Sequence, residues 1–304
     1  VGALLAFAAV LAALPLTFPN PFFFEIAILV ALNAIVCVGL NLLIGYAGQI
    51  SLGHAGFYAL GGYGSALFVT RLAWPAWFAL PAAVAVVALL AWLVGRPTLK
   101  LKGHYLAMAT LGLGVIVSIV LTNEDRITGG PDGMSVPPLE VFGHALKGEP
   151  AWYAVVAALL WLTVLGALHL VDSPAGRALR ALHGSEVAAE TLGIDAARWK
   201  LRVFVLSAAI AAAAGALTAH YAGFITPAKA SFLHSVELVI MVVFGGMASI
   251  WGALAGAAVL TLLPQFLTAL KDYEMTVFGA VLIATMVFMP RGIVPTLARA
   301  LARR

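Results

Sequence analysis

The side chains able to do chemistry in this 304-residue chain are few, and one stretch gathers several of them. It reads GYAGQISLGHAGFYALGGYG from Gly45 to Gly64 and sets Gln49, Ser51 and His54 among seven glycines in twenty residues. Around it the sequence is apolar. Gln49, Ser51 and His54 therefore supply polar groups either to a passage or to a broken backbone. His54 has no second ligand at metal-site spacing, and His104, His144, His169, His183, His220 and His234 are scattered, so no bound metal is expected. HExxH, GxSxG and Walker A patterns do not occur, which leaves no visible machinery for hydrolysing ATP or a peptide bond, and no cofactor is expected. Cys37, the one cysteine, lies inside an apolar run and reads as a small packing residue.

Glycine at that density costs an ordinary helix about 1 kcal/mol per residue relative to alanine, so a close backbone approach or a break must require it. Two readings stand. Gly45, Gln49, Ser51, Gly53, His54 and Gly56 line a translocation path at the mouth of a helix bundle, or they form a tight glycine-mediated crossing with the polar groups as hydrogen-bond glue.

A second region, 172–202, is basic and polar. Ser173-Pro174 starts a short helix that Gly184 stops, Ser185 caps a second that ends at Gly193, and Asp195 caps the helix that follows. Glu186, Ala189, Glu190 and Gly193 fall on one face of the second helix. That face suits a partner's groove, or else the helix lies among lipid headgroups; its lack of large anchors favours the groove. A third cluster, Thr128-Gly129-Gly130-Pro131-Asp132-Gly133, is turn-forming and carries one carboxylate: an external gate, a contact for a delivery protein, or simple turn chemistry.

The elements that position these groups follow from composition. The chain is 63% hydrophobic and 10% charged, with mean hydropathy +1.04, so a soluble fold would have no polar surface left. Its net charge of +4 resides at segment ends and forms no stripe, which argues against nucleic acid. Proline, glycine and charge divide it into about ten apolar spans, eight at fewest, near 2–18, 22–45, 56–70, 75–94, 104–122, 151–171, 202–224, 235–250, 252–270 and 273–289. The 235–270 stretch is either a hairpin or one broken helix. The first span opens at Val1, with the native start upstream or trimmed.

Lysine and arginine near spans stay cytoplasmic. Arg96, Lys100 and Lys102 mark one inside loop, Arg177, Arg180, Arg198, Lys200 and Arg202 a second, and Arg291, Arg299, Arg303 and Arg304 an inside tail, while the acidic 123–150 segment is external. The expected fold is all-α: a single polytopic transmembrane domain over 1–304, both termini cytoplasmic, with a cytoplasmic loop at 172–201 holding two short helices. Trp74, Trp77, Trp152 and Tyr153 stand at span edges as headgroup anchors. Ala211, Gly215, Ala219 and Gly223, and Gly252 with Gly256, repeat at the four-residue spacing of close helix packing. Glu25, His220 and Glu237 are the ionisable residues inside or beside apolar runs, and only His220 is expected deep.

Four motifs in this order, GYAGQISLGHAGFYALGGYG at 45–64, TGGPDGM at 128–134, SEVAAETLGID at 185–195 and VFGGMASIWGALAGA at 243–257, resemble the membrane permease of branched-chain amino acid ABC importers. The likeness runs from about residue 22 to residue 295. It implies a multi-pass subunit of the bacterial inner membrane that pairs with a second, homologous permease. Two cytoplasmic ATPase subunits would bind beneath and a periplasmic solute-binding protein would deliver substrate. The helix at 186–193 would couple to the ATPases, with Glu186, Ala188, Ala189, Glu190 and Gly193 as its residues. Against the family's EAA-x3-G pattern Val187 occupies the Glu position, while Ala188, Ala189 and Gly193 match. Thr128, Gly130, Asp132 and Gly133 would form the external gate or binding-protein contact. The alternatives are a urea, amide or other small-solute permease of the same superfamily, or a stand-alone secondary transporter; a polytopic membrane enzyme would need clustered acidic, His or Arg residues that are missing here.

Overall fold

The computed structural model describes residues 2–141 and 144–267, together with positions 279, 283, 289 and 292–296. The expected span at 273–289 and the basic tail thus lie outside the described residues, those single positions apart.

Apolar runs become helices: α1 (Gly2–Thr17), α2 (Pro21–Asn41, continuing as a π-helical turn Leu42–Tyr46), α3 (His54–Leu72), α4 (Ala76–Thr98), α5 (His104–Asn123), α7 (Glu149–Asp172), α10 (Ala196–Ala222), α11 (Phe232–Gly245) and α12 (Ile250–Leu267). Shorter helices are α6 (Asp125–Thr128), α8 (Pro174–Gly184) and α9 (Glu186–Thr191). Strands β1 (Met134–Ser135) and β4 (Phe224–Ile225) pair antiparallel, as do β2 (Glu140–Val141) and β3 (His144–Ala145). Among the described residues, α2 with its π turn, α4, α5, α7 and α10 are long and apolar enough to cross a bilayer. The protein is an all-α membrane protein in its spanning part.

Burial sorts these helices into layers. The most apolar windows of α2 and α10 are 72% and 61% buried, those of α4, α5 and α7 only 28%, so the first pair forms the core and the other three an outer ring. Leu89, Leu93, Ile116 and Leu162 project outward from that ring, an arrangement that hydrocarbon tolerates and water does not.

α3 and α10 run parallel in close contact, and small residues set their spacing. A Cβ on Gly61 would strike the Ala212 backbone, and one on Gly215 would strike the carbonyl of Tyr58. Ala211, Gly215 and Ala219 are buried here, as their spacing predicts. Gly223 departs from that pattern: it has open space around it and ends α10 with φ +67°. Gly252 and Gly256 pack on the backbone of Gly245 and Met241.

Three breaks interrupt the bundle. The first, residues 47–53, leaves the helix at Gly48 (φ +67°). The second, residues 246–249, turns through Gly246 (φ 125°) and Ala248 (φ 57°), so the 235–270 stretch is a helix pair with a tight turn. Asn41 holds that turn: its amide donates to the Ser249 carbonyl (2.7 Å) and accepts from the Ala248 N–H (3.0 Å). The third is Gly223–Ser231. After β4 the chain folds back through a 3-10 turn, Pro227–Ala230, and α11 starts beside the first turn of α3. With 14 residues α11 is about 21 Å long, short of the ~30 Å hydrocarbon core, and this corrects the full span expected at 235–250.

Candidate functional site

The basic residues define one end of the bundle. Lys102, after α4, lies 3.7 Å from the Glu186 carboxylate of α9, and Lys200 of α10 lies 2.7 Å from it. The 97–103 turn and the 172–202 loop therefore share a face, as their charge predicts. Gly48 packs against His183 of α8, which brings the first break to the same end.

From there residues 47–53 run inward. The His54 ring is buried and bridges two hydroxyls, Ser51 Oγ at Nδ1 (2.8 Å) and Ser207 Oγ at Nε2 (2.7 Å). Ser207 stands eleven residues into α10, roughly 16 Å from its start. α3 thus begins well inside the bundle, and Ala55 N–H there donates to Ser235 Oγ of α11 (3.1 Å). The break reaching in from the basic end and the one folding back from the opposite end meet at these atoms, with the rings of Tyr58 and His234 5.4 Å apart. Among the described residues, buried irregular backbone is held here by side-chain hydroxyls, as a membrane interior demands. Gly53 and Gly56 face α5: a Cβ on Gly53 would strike the Thr110 carbonyl, whereas one on Gly56 would rest 3.4 Å from Gly114. Gly45 abuts Ala248 and Asn41.

Gln49 is 3% exposed, and neither its amide oxygen nor its nitrogen has a hydrogen-bond partner. It lines a cavity of about 100 Å³ with Lys102, His183, Glu186 and Lys200, at the junction of the first break and the α8–α9 loop. On the opposite side of the meeting point, a cavity of about 480 Å³ is lined by Glu25, Tyr58, Glu149, Thr218, Tyr221 and Lys229 among others. Tyr221 donates to Glu149 there (2.8 Å). Glu237 keeps its side chain 49% exposed and pairs with His234 (3.2 Å), two to five residues into α11.

His220 is buried, as expected of the deep candidate, but serves as a strap. Its Nδ1 donates to the Pro137 carbonyl (2.8 Å), so Nε2 accepts the Ser65 hydroxyl (2.8 Å). The TGGPDG cluster is a brace: Thr128 Oγ1 donates to the carbonyls of Leu121 and Glu124, Gly130 packs on Asp125, and Gly133 packs on Ile225, holding the third break through the β1–β4 pair. Asp132 stays exposed.

In the basic loop, Ser173, Ser185 and Asp195 cap α8, α9 and α10. Ala189 is 1% exposed, packed among Leu182 and Ala196. The shared face drawn from spacing is thereby split: Ala189 and Glu186 point into the protein, and the outward face of α9 carries Val187 (67% exposed), Ala188, Glu190, Thr191 and Leu192 (79% exposed). Gly193 ends the helix at φ +80° with open space around it. Spacing alone missed Asn41, Thr110 and Ser207, each a lone polar residue in an apolar run, and that isolation was the available signal; it also missed Ser235, which sits beside His234 and near Glu237.

The family described as branched-chain amino acid transport system, permease component, matches residues 22–286. The chain is 34% identical over 259 residues to the high-affinity branched-chain amino acid transport system permease protein LivM of Escherichia coli, covering 77% of this chain and 61% of that protein. It is 29% identical over 222 residues to LivH of Escherichia coli, covering 69% and 71%. To the probable branched-chain amino acid transport permease protein LivM of Methanocaldococcus jannaschii it is 25% identical over 234 residues, covering 70% and 67%. No solved structure matches. The chain spans about three fifths of the length of the Escherichia coli LivM protein. On the match across residues 22–286, the chain belongs to the branched-chain amino acid transport permease family.

Proposed function

We propose that this chain is one permease subunit of an ATP-binding-cassette importer that carries branched-chain and other hydrophobic amino acids across the bacterial inner membrane. It pairs with a second homologous permease above two cytoplasmic ATPase subunits, docks one of them at its α8–α9 loop, and receives solute from a periplasmic binding protein at the opposite end. The single observation that carries this reading is the half-exposed Glu237 carboxylate paired with the largely covered His234. Glu237 lies eight residues before the α11 end, roughly 12 Å from a turn that sits at the basic end. An ionisable pair at that depth cannot face lipid cheaply, so it faces a wet path or a neighbouring subunit.

The protein forms no covalent bond. Closure of the ATPases moves α9, and Glu186, bound to Lys200 and Lys102, passes the displacement to α10 and the 97–103 turn. Gln49, unpaired beside that triad, gains a partner as the first break shifts. Glycine contacts between α3 and α10 and between α11 and α12 let helices slide between two arrangements without opening voids. The 480 Å³ vestibule offers two carboxylates and Lys229 to the opposite charges of an amino acid, beside apolar wall for its side chain.

The test is uptake of labelled leucine, isoleucine, valine and urea into proteoliposomes holding both permeases, with ATPase and binding protein supplied. ATP-dependent uptake of the three amino acids is expected. Uptake without the ATPases would make the chain a secondary transporter, and uptake of urea alone would reassign the solute.

A further inference from the structure

A further cavity adjoins the Lys102–Glu186 contact on the side away from Gln49. It is a groove of about 970 Å³ between the ends of α4 and α10, open on the outer ring of the bundle. Its deeper wall is apolar: Trp92 and Gly95 of α4 face Leu201, Val205, Leu206 and Ala209 of α10. Its rim, at the basic end, carries Arg96, Lys100, Lys102, Arg198 and Arg202. Three carboxylates share that rim. Glu186 is engaged by Lys200 and Lys102, and Asp195 by Arg198 at 3.5 Å, which leaves Glu190. Arg96, Lys100 and Arg202 have no carboxylate within salt-bridge distance among the described residues. Two of them rest on indole rings instead, Arg96 3.8 Å from the centre of Trp92 and Arg202 5.0 Å from that of Trp199.

An apolar slot that opens into hydrocarbon and ends in unneutralised guanidinium and ammonium groups has the polarity of a phospholipid: acyl chain below, phosphate above. We propose that this groove binds one anionic phospholipid of the cytoplasmic leaflet. An acyl chain lies along Leu201, Val205 and Ala209, and the headgroup phosphate is held by Arg96, Lys100 and Arg202. The amount of excess positive charge selects an anionic headgroup over a zwitterionic one. Because the site abuts the Glu186–Lys102 contact, the lipid also stiffens the attachment of α9 to the 97–103 turn.

The experiment is native mass spectrometry of the full chain released from nanodiscs of phosphatidylcholine containing one fifth phosphatidylglycerol. Wild type should retain one phosphatidylglycerol through delipidation, unchanged by millimolar inorganic phosphate. The triple variant Arg96→Gln, Lys100→Gln, Arg202→Gln should lose that preference by on the order of a hundredfold, each charge near a membrane surface counting for about fivefold. Arg71→Gln, at the far end of α3, should leave it intact. Ala209→Phe keeps every charge and fills the slot, so it should also release the lipid and covers the case in which the triple variant fails to fold. Equal retention by wild type and Ala209→Phe, or displacement by inorganic phosphate, would overturn the proposal.

Discussion

The outward face of α9 offers the sharpest test of the docking reading, because one helix carries both an internal and an external control. Val187 and Leu192 are 67% and 79% exposed in the chain alone. Burying an exposed side chain of this kind in a partner's groove stabilises a complex by roughly 1.5–3 kcal/mol. Leu192→Ser should therefore weaken ATPase binding by about 2 kcal/mol, close to 30-fold in Kd. The double variant Val187→Ser, Leu192→Ser should cost about 3–4 kcal/mol, or a few hundred-fold. Neither change touches a packed contact, so permease melting in detergent should shift by no more than about 0.5 kcal/mol equivalent. Ala189→Arg has the reverse signature. With Ala189 wedged among Leu182 and Ala196, an arginine there costs several kcal/mol and disrupts the loop before any partner arrives. Titration of the purified ATPase onto immobilised permease gives Kd, and thermal unfolding of the same samples gives the control. Wild-type affinity in the double variant would refute the docking face and leave α9 as an interfacial helix.

Further outcomes follow from the same geometry. Gly53→Ala should impair uptake strongly because its Cβ meets the Thr110 carbonyl, while Gly56→Ala should transport nearly normally, Leu at either site should be severe, and Leu60→Ala should be mild. If Gly53→Ala transports like wild type, the first break packs more loosely than described. His54→Phe strands the hydroxyls of Ser51 and Ser207, which should destabilise the permease by about 1–3 kcal/mol per unpaired group, read as a lowered melting temperature. Glu186→Gln should leave Lys200, whose side chain is 9% exposed, without its ion pair, lowering ATP-coupled uptake more than ATPase binding; an unchanged ratio would remove Glu186 from the coupling route. In a Cys37→Ala background, cysteines at positions 100 and 180 should react only from the cytoplasm and one at 140 only from outside. Labelling at 180 from outside would invert the orientation and the docking assignment with it.

Several features were legible in the residues themselves. Long apolar runs had to become membrane helices, since a backbone in hydrocarbon must satisfy its own hydrogen bonds. Ser173, Ser185 and Asp195 marked helix starts because a cap acts through neighbours two or three positions away. The glycine density at 45–64 signalled a break or a close approach, and both occur there: Gly48 turns the chain, and Gly53, Gly61 and Gly62 admit neighbouring backbone or side chains. Charge placed the 97–103 turn and the 172–202 loop on one face, which Glu186 joins through two lysines.

Contacts distant in sequence decided the rest. Whether α11 spans or starts part-way depended on Ser235 meeting Ala55, residues 180 positions apart. Which side of α9 faces a partner depended on Leu182 and Ala196 closing over Ala189; helical spacing groups residues by face but cannot say which face the rest of the molecule covers. His220 read in the sequence as the deep ionisable residue, and its role as a strap emerged only with the fold, which brings the Pro137 carbonyl and the Ser65 hydroxyl to its two nitrogens. Local chemistry determined the helices and their ends, and burial, which belongs to the whole molecule, determined what each polar residue does.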